Sequence, residues 1–534
     1  MGSIVFYKNK KSGITYAYES TPYWDKEKQQ GRSKRRCIGH VDSTTGEIVP
    51  NRPKENDNSK ETGVRKRGPK PTEYCKRTFY GATYLFDEIG RKLGITEDLK
   101  KCFPVMYKKI LSIAYFLILE DKNPLSRFSH WSTLHKHPFD DDIPSQRSSE
   151  LFASITEEDR LKFFSLQGKR RLEKEYWAYD ISSISSYSKC LKQVQYGHNK
   201  EHDLLAQINL ALLFGQESQL PFYYRKLPGN ITDVKTVKNL LADLDYLGYQ
   251  KVHMVMDRGF YSEDNVNGLF RDHIKFLLGV RLSLKFVKAQ LEQNRDSIPI
   301  WNNYNKEYDM YMVCIPVEWN YTQERPYKGD TIKAKRRMYM HLYFNSQKAV
   351  DDELEFTKKM IMLNEELESG NLVLEHKSLY EKYFDVVITP VRGAKVTAKQ
   401  EAMDEAKKNY GYFALISNEL KDPAEALKIY RNKDLVEKAF SNIKERLDCR
   451  RLAVSSELSL DGKLFVEFIA LIYLSYIKKQ MQDQKLFKNY TMQGFLDKLD
   501  LIECFVRPGC EIRIGEITEA QKNLYSYMGV NLPT

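Results

Sequence analysis

The period of the hydrophobic positions changes several times along the chain, and the changes divide it into segments. Over residues 1–50, apolar and polar residues alternate in short runs such as IVFYK and ITYAYES between Gly and Asp turn signals, which predicts a small β-ribbon. Residues 51–72 are nearly devoid of large apolar side chains and rich in Lys, Asn, Glu and Pro, the composition of a linker. Residues 73–165 carry helical apolar spacing, notably in FYGATYLFDEIGRKLG and VMYKKILSIAYFLILE, and no convincing strand. At Tyr176 the period shortens. YWAYDISSIS, LLAQINLALLF and QLPFYYRKL read as three strands, and TDVKTVKNLLADLDYLG as a helix capped by Thr232 or Asp233. VHMVMDRGF follows as a buried strand ending in Asp257, and KFLLGVRL as another, so 166–282 has the order βββαβ and then a further strand. Aromatic runs such as YDMYMVCIPVEW and RMYMHLYF predict a β-rich insertion over 283–420. Helical spacing returns over 421–490, and 491–534 forms a C-terminal region. No internal repeat is visible.

Within the last helical segment, IYRNKDLVEKAFSNIKERL holds a pattern beyond amphipathicity. At about 100° per residue, Val436, Phe440, Ile443 and Leu447 share an arc of roughly 60°, the stripe expected to face a core. Tyr430, Lys433, Glu437 and Lys444 share a second arc of about 60° directly beside it, while the other charges point elsewhere. A glutamate between two lysines and a tyrosine, at the rim of a core, has the character of an anionic metal ligand with phosphate-binding neighbours. The same residues also suit a surface helix of mutually neutralising charges, so more of the chain has to agree.

Two acids in the strands do. Asp180 lies inside YDISSIS and Asp257 ends MVMD, and carboxylates are depleted from strand interiors. Asp257 followed by Arg258 and Gly259 also reads as a turn former. Two acids on adjacent strands together with Glu437 on a helix packed against them could hold two Mg²⁺ or Mn²⁺ ions, with water and substrate oxygens completing the coordination.

Charge supports a polyanionic partner. The 534 residues hold 84 Lys+Arg against 72 Asp+Glu, a net +12. The stretch RKRGPKPTEYCKR has six basic residues and one acid; Arg65, Lys66, Arg67 and Lys70 form its basic start, and it lacks the Arg after Gly that a minor-groove hook would use, so it reads as a phosphate-tracking tether. Eight cysteines, at 37, 75, 102, 190, 314, 449, 504 and 510, include no C-x-x-C pair, which fits a reducing cytoplasm. The apolar run Ile110 to Leu119 is too short to span a bilayer and the N-terminus lacks a signal-peptide core, so the expectation is an intracellular protein with no membrane partner.

These residues resemble the DDE transposases of bacterial insertion sequences, in the insertion-sequence family four superfamily. The family signature is Tyr, two residues, Arg, three residues, Glu, six residues, Lys; here it is Tyr430, Lys433, Glu437 and Lys444, with lysine in place of arginine. Lysine keeps the charge and loses the planar fork. Asp180-Ile-Ser-Ser, the Asp257-Arg258-Gly259-Phe260 turn, YGHNKEHDLLAQINLALLF, the LPGN at Leu227 and the YGYFALISNEL at Tyr410 are similar as well, and the likeness spans roughly residues 75–490.

The resemblance implies an α/β protein: a ribonuclease H-like mixed sheet with flanking helices, an insertion domain between the second acid and the glutamate, and a helical N-terminal DNA-binding region. It divides as ribbon 1–50, basic linker 51–72, helical DNA-binding domain 73–165, catalytic core 166–282 and 421–490, insertion 283–420, and C-terminal region 491–534. Asp180, Asp257 and Glu437 are the implied catalytic metal ligands for two ions, and Tyr430, Lys433, Lys444 and Arg258 the implied DNA contacts. The implied substrates are the terminal inverted repeats of an element and a double-stranded target, brought together by a homodimer in a bacterial, nucleoid-associated setting. Water would free a 3′-hydroxyl and that hydroxyl would attack the target. Trp301 and Trp319, in the insertion, are candidates for stacking on a flipped base, or for its core. Two alternatives share these features: a catalytically silent DNA-binding derivative, and a two-metal nuclease that only cuts.

Overall fold

The computed structural model describes residues 2–50 and 75–534, apart from 172–174, 189, 198, 200–203, 250, 325–328, 390–392, 448–451, 453, 455 and 508–509. The basic stretch with Arg65, Lys66, Arg67 and Lys70, and the linker around it, therefore lie outside the described residues. The chain separates into two units, 1–73 and 74–534.

In the first unit, the alternating runs form an antiparallel sheet. Its strands β1 (Ser3–Lys8), β2 (Thr15–Asp25), β3 (Gln30–Val41) and β4 (Ile48–Pro50) lie in that order.

The second unit begins with β5 (Lys76–Phe79), a strand where helical spacing alone was expected. Six helices follow: α1 (Gly81–Lys92), α2 (Ile95–Cys102), α3 (Tyr107–Leu119), α4 (Phe128–Leu134), α5 (Ser145–Ser154) and α6 (Glu157–Arg171). Next come β6 (Tyr176–Ser185), β7 (Gln207–Gly215), β8 (Pro221–Pro228), α7 (Asp233–Tyr246), β9 (His253–Met256), α8 (Glu263–Arg271) and β10 (Lys275–Val280). All nine residues of β7 are buried, which is why its sequence is apolar without alternation: both faces are covered. β6 pairs antiparallel with β7 and parallel with β9; β9 pairs parallel with β10, and β7 antiparallel with β8. The resulting order β8-β7-β6-β9-β10 is that of a ribonuclease H-like core.

The segment expected as a β-rich insertion departs from that picture. Besides β11 (Tyr304–Asn305), β12 (Met310–Glu324) and β13 (Thr331–Phe344), it holds α9 (Lys285–Asn294), α10 (Ser346–Ser369), α11 (Lys377–Tyr383), the hairpin β14 (Phe384–Thr389) and β15 (Gly393–Ala398), α12 (Gln400–Lys407) and β16 (Tyr412–Ser417). β16 pairs antiparallel with β10 and β13, so β11-β12-β13-β16 extend the central sheet to nine strands. The physical reason is the edge: β10 would otherwise present unpaired backbone groups, and aromatic β-formers supply the strand that satisfies them. Only α10–α12 keep a small core of their own, around Met360, Leu363, Tyr380 and Phe384.

After β16 come α13 (Pro423–Arg431), α14 (Asp434–Ser441), a π turn (Asn442–Arg446) and α15 (Glu457–Asp483). α15 is apolar nearly all round and correspondingly buried, with Phe465, Ile469, Ile472 and Tyr473 inaccessible to solvent. It packs against α3 and α5 on one side and β8 on the other, joining the helical region and the sheet in one core. A Cβ at Gly462 would lie 2.0 Å from the Phe152 carbonyl oxygen, so a glycine is what lets α15 and α5 touch backbone to backbone. α16 (Met492–Asp500), β17 (Glu503–Val506), β18 (Arg513–Ile514) and α17 (Glu519–Tyr527) close the chain, and β17 pairs with β5, where Arg77 meets Glu503 at 2.5 Å. No helix among the described residues is long and apolar enough to cross a membrane.

Candidate active site

The parallel register of β6 and β9 matches Tyr179 with Met256. The next residues are Asp180 and Asp257, so the pairing that builds the sheet sets the two carboxylates beside each other at the carboxyl end of β9. Asp180 is half-buried in a strand whose neighbouring residues Tyr179 and Ile181 are buried. Asp257 caps a 3₁₀ turn, Arg258–Phe260, and its Oδ1 accepts the Arg258 backbone N–H at 2.7 Å.

The helical segment supplies the other side. It is not the continuous helix that the spacing predicts. Three bonds of i→i+3 type follow α13: Lys433 N–H to Tyr430 O at 3.2 Å, Leu435 N–H to Asn432 O at 3.1 Å and Val436 N–H to Lys433 O at 2.9 Å. These overwind the chain before α14, and the π turn underwinds it afterwards, where Leu447 N–H reaches Asn442 O at 3.1 Å. Val436, Phe440, Ile443 and Leu447 are all buried, so the apolar stripe survives both irregularities. α14 packs against β6 and β7, which carries Glu437 to the acids.

Lys433 lies between two of the three acids. Its Nζ lies 3.3 Å from Glu437 Oε1 and 4.0 Å from Asp257 Oδ2. Burial disfavours its charge, but the carboxylates of Asp257, Glu437 and Asp180 outweigh that and raise its pKa above the ordinary lysine value. Tyr430 donates its hydroxyl proton to Asp257 Oδ1 at 2.6 Å. Burial would raise the Asp257 pKa; the Tyr430 hydrogen bond, the Lys433 charge and the Arg258 N–H reverse this and hold it below the usual carboxylate value. Burial, the Asp257 charge and that hydrogen bond push the Tyr430 phenol well up, so it stays a neutral donor. Lys444 is buried in the π turn and Arg258 is exposed beside Asp257.

Two residues of the site escape the sequence reading. Gly279 sits in β10 beneath Tyr430; a Cβ there would lie 2.7 Å from the Tyr430 hydroxyl oxygen and 3.0 Å from the Arg258 nitrogen. A glycine inside a strand marks a close approach, and that signal was present in KFLLGVRL. Arg281, exposed just past the end of β10, lines the same cleft as Asp257, Arg258, Tyr430 and Lys433. Of the two tryptophans, Trp301 is 81 % exposed, whereas Trp319 is buried, donates its indole N–H to Asn267 at 2.8 Å and packs edge-on to Phe286. Trp319 is thus a core residue and is corrected as a stacking candidate: its place on β12 points the ring inward against α8 and α9.

The acids offer only hard oxygen donors, which suits Mg²⁺ or Mn²⁺, and a cationic group already lies among them. Among the described residues, no three His, Cys, Asp or Glu side chains are close enough to hold a metal ion as they stand. In this arrangement the Lys433 ammonium lies between the Asp257 and Glu437 carboxylates.

The family model described as "Transposase DDE domain" matches residues 178–473, more than half of the chain and a span containing Asp180, Asp257 and Glu437. The chain belongs to this DDE transposase family. No curated protein matches the chain. Among solved structures it is similar to a chain in a cryo-EM structure of the piggyBac transposase synaptic complex with hairpin DNA. That match has 10% identity and a TM-score of 0.36, and covers 78% of this chain and 70% of that one. Membership in the DDE transposases implies a metal-dependent DNA-cutting enzyme acting in transposition, and gives the contacts of Lys433 with Asp257 and Glu437 their chemical context.

Proposed function

We propose that this transposase binds the ends of a mobile DNA element, hydrolyses a phosphodiester at each to free a 3′-hydroxyl, and joins those hydroxyls to target DNA. The observation that carries the reading is the contact of the Lys433 ammonium with both Asp257 and Glu437, with Asp180 on the parallel strand beside Asp257. Two carboxylates share one cation there and a third lies on the neighbouring strand, an excess of negative charge suited to divalent ions. Two bound Mg²⁺ or Mn²⁺ ions would activate the attacking oxygen and stabilise the leaving one. Asp180, Asp257 and Glu437 would hold them. Tyr430 orients Asp257 through its hydroxyl and, by lowering the carboxyl pKa, keeps it ionised. Lys433, Arg258, Arg281 and Lys444 offer cationic contacts to phosphates on either side of the scissile bond. Trp301 is placed on the surface to stack on an unpaired base.

The finer assignment, to the bacterial insertion-sequence transposases, is supported by the Tyr430, Lys433, Glu437 and Lys444 spacing. Incubating the protein and Mg²⁺ with labelled DNA from the borders of its gene and a target plasmid tests the function. Joined products support transposition. Cleavage without joining would leave a nuclease, and binding without either would leave a DNA-binding derivative.

Moving one element requires both ends to be handled together, so the working form is proposed to be a homodimer. Light scattering of the end-DNA complex under joining conditions should give two protein chains and two ends; a single chain on one end would refute it.

Gly279→Ala tests the positioning of Asp257. The new methyl group would displace the Tyr430 hydroxyl and break its bond to Asp257, with an expected loss of roughly tenfold in cleavage, in the range of one positioning hydrogen bond. Tyr430→Phe should lose a similar factor, and the double variant little more, because both remove the same interaction. Multiplicative losses in a kinetic double-mutant cycle would show that Gly279 acts otherwise.

A further inference from the structure

The first unit contains an element that the active site does not use. β1 covers β2 only from Thr15 to Ser20, and β4 pairs with β3 only from Gly39 to Val41. Between those limits, β2 and β3 continue as a two-stranded antiparallel ribbon, with Thr21 opposite Lys34, Pro22 opposite Ser33, Tyr23 opposite Arg32 and Trp24 opposite Gly31. Every one of those eight residues is exposed. A bare two-stranded hairpin is marginal in water, so a ribbon of this kind needs something to hold it or something to lie in. Its tip is ordered locally: Asp25 Oδ1 accepts the backbone N–H groups of Glu27 and Lys28, both at 3.2 Å.

The ribbon's chemistry selects the occupant. Strand alternation puts Arg32, Lys34 and Arg36 on one face and Arg35 on the other, with Lys26 and Lys28 at the tip. Asp25 partly offsets Arg32 at 3.6 Å and Glu19 stands opposite Arg36, yet residues 1–50 hold nine Lys+Arg against five Asp+Glu. Tyr23 and Trp24, 48% and 64% exposed, stand on opposite faces of the same ribbon. A surface with cations on both faces and at the tip is complementary to something negatively charged on both sides. A DNA major groove, about 12 Å wide and walled by phosphates, admits a two-stranded ribbon and meets that condition.

We propose that residues 21–35 form a DNA-binding ribbon that lies in the major groove of duplex DNA, the face with Tyr23, Arg32 and Lys34 meeting one phosphate wall and the face with Trp24 and Arg35 the other. This deepens the proposed function and rests on duplex DNA being the substrate. The ribbon adds a contact remote in sequence from the catalytic cleft.

The full-length protein tests it in a salt titration of binding to a 30-base-pair duplex. Replacing Arg32, Lys34 and Arg35 together by serine should make the slope of log K against log salt shallower by about 2.7, from three phosphate contacts. Replacing Lys8, Lys10 and Lys11 by serine removes the same charge from the first unit away from the ribbon and should leave the slope near wild type. Dimethyl sulfate methylation of guanine N7, which reads the major groove directly, should show protection with the wild type and lose it with the ribbon variant. Equal effects of the two triple variants, or unaltered N7 reactivity with bound wild-type protein, would overturn the ribbon while leaving the transposase reading intact. A wild-type protein that binds no duplex at all would overturn both.

Discussion

Glu437→Gln is expected to lower DNA cleavage on the order of 10³-fold or more, while the protein stays folded and binds end DNA at least as well as the wild type. Glutamine keeps the shape of the side chain and its ability to accept the Lys433 hydrogen bond, at 3.3 Å in the native site, but carries no charge to hold a divalent ion. The helix is anchored by Val436, Phe440 and Ile443, none of which changes. Removing a negative charge beside phosphates favours DNA binding. Asp180→Asn and Asp257→Asn should behave alike, because the parallel register makes them neighbours at one site. Glu445→Gln, in the π turn, serves as the comparison and should cleave at nearly the native rate. Gel-based cleavage assays in Mg²⁺, with binding measured separately in Ca²⁺, distinguish the outcomes. A Glu437→Gln enzyme that cleaves normally, or a Glu445→Gln enzyme equally inactive, would remove the helix from the site.

Lys433→Ala should cost about 10²-fold in cleavage, and its pH profile should move in a defined direction. The sign follows from Asp257. Its pKa is held below the ordinary value because the Tyr430 hydroxyl and the Lys433 ammonium favour the charged form over the opposing effect of burial. Removing the ammonium deletes one favourable contribution, so the Asp257 pKa rises and the acid limb of the cleavage profile moves to higher pH. Lys433→Arg, which restores the residue of the family signature, should keep the acid limb in place and most of the rate. An acid limb unmoved in Lys433→Ala would mean that the ammonium does not act on Asp257 during catalysis.

Parts of this site were legible in the residues themselves. Asp180 and Asp257 stood out because carboxylates are unusual in strands, and the succession of three strands, a helix and two strands read from the periodicity is found along the chain from β6 to β10, with α8 added between the last two. Tyr430, Lys433 and Glu437 stood out because their spacing places them beside an apolar stripe, and that stripe is buried as the spacing requires.

Other features were not legible, for identifiable reasons. The helix was read as continuous because spacing alone assumes a constant 100° per residue, whereas the 3₁₀-type turn near Lys433 and the π turn after Ser441 change the winding where the segment packs against β6, β7 and α15. Trp319 passed as a stacking candidate because an aromatic side chain suits a core and a surface equally until its neighbours are known. Strands of the supposed insertion joined the main sheet because β-forming sequence specifies a strand but not its partner. The sequence by itself determined the strands and helix from β6 to β9, which acids are out of place, and where cations accumulate, since those depend on local period and composition. Only the tertiary structure decided that Asp180, Asp257 and Glu437, separated by up to 257 positions, are gathered in one region, Asp257 and Glu437 at Lys433 and Asp180 on the strand beside Asp257. That meeting depends on the parallel β6–β9 register and on α14 packing against β6, contacts between distant segments that no local pattern encodes.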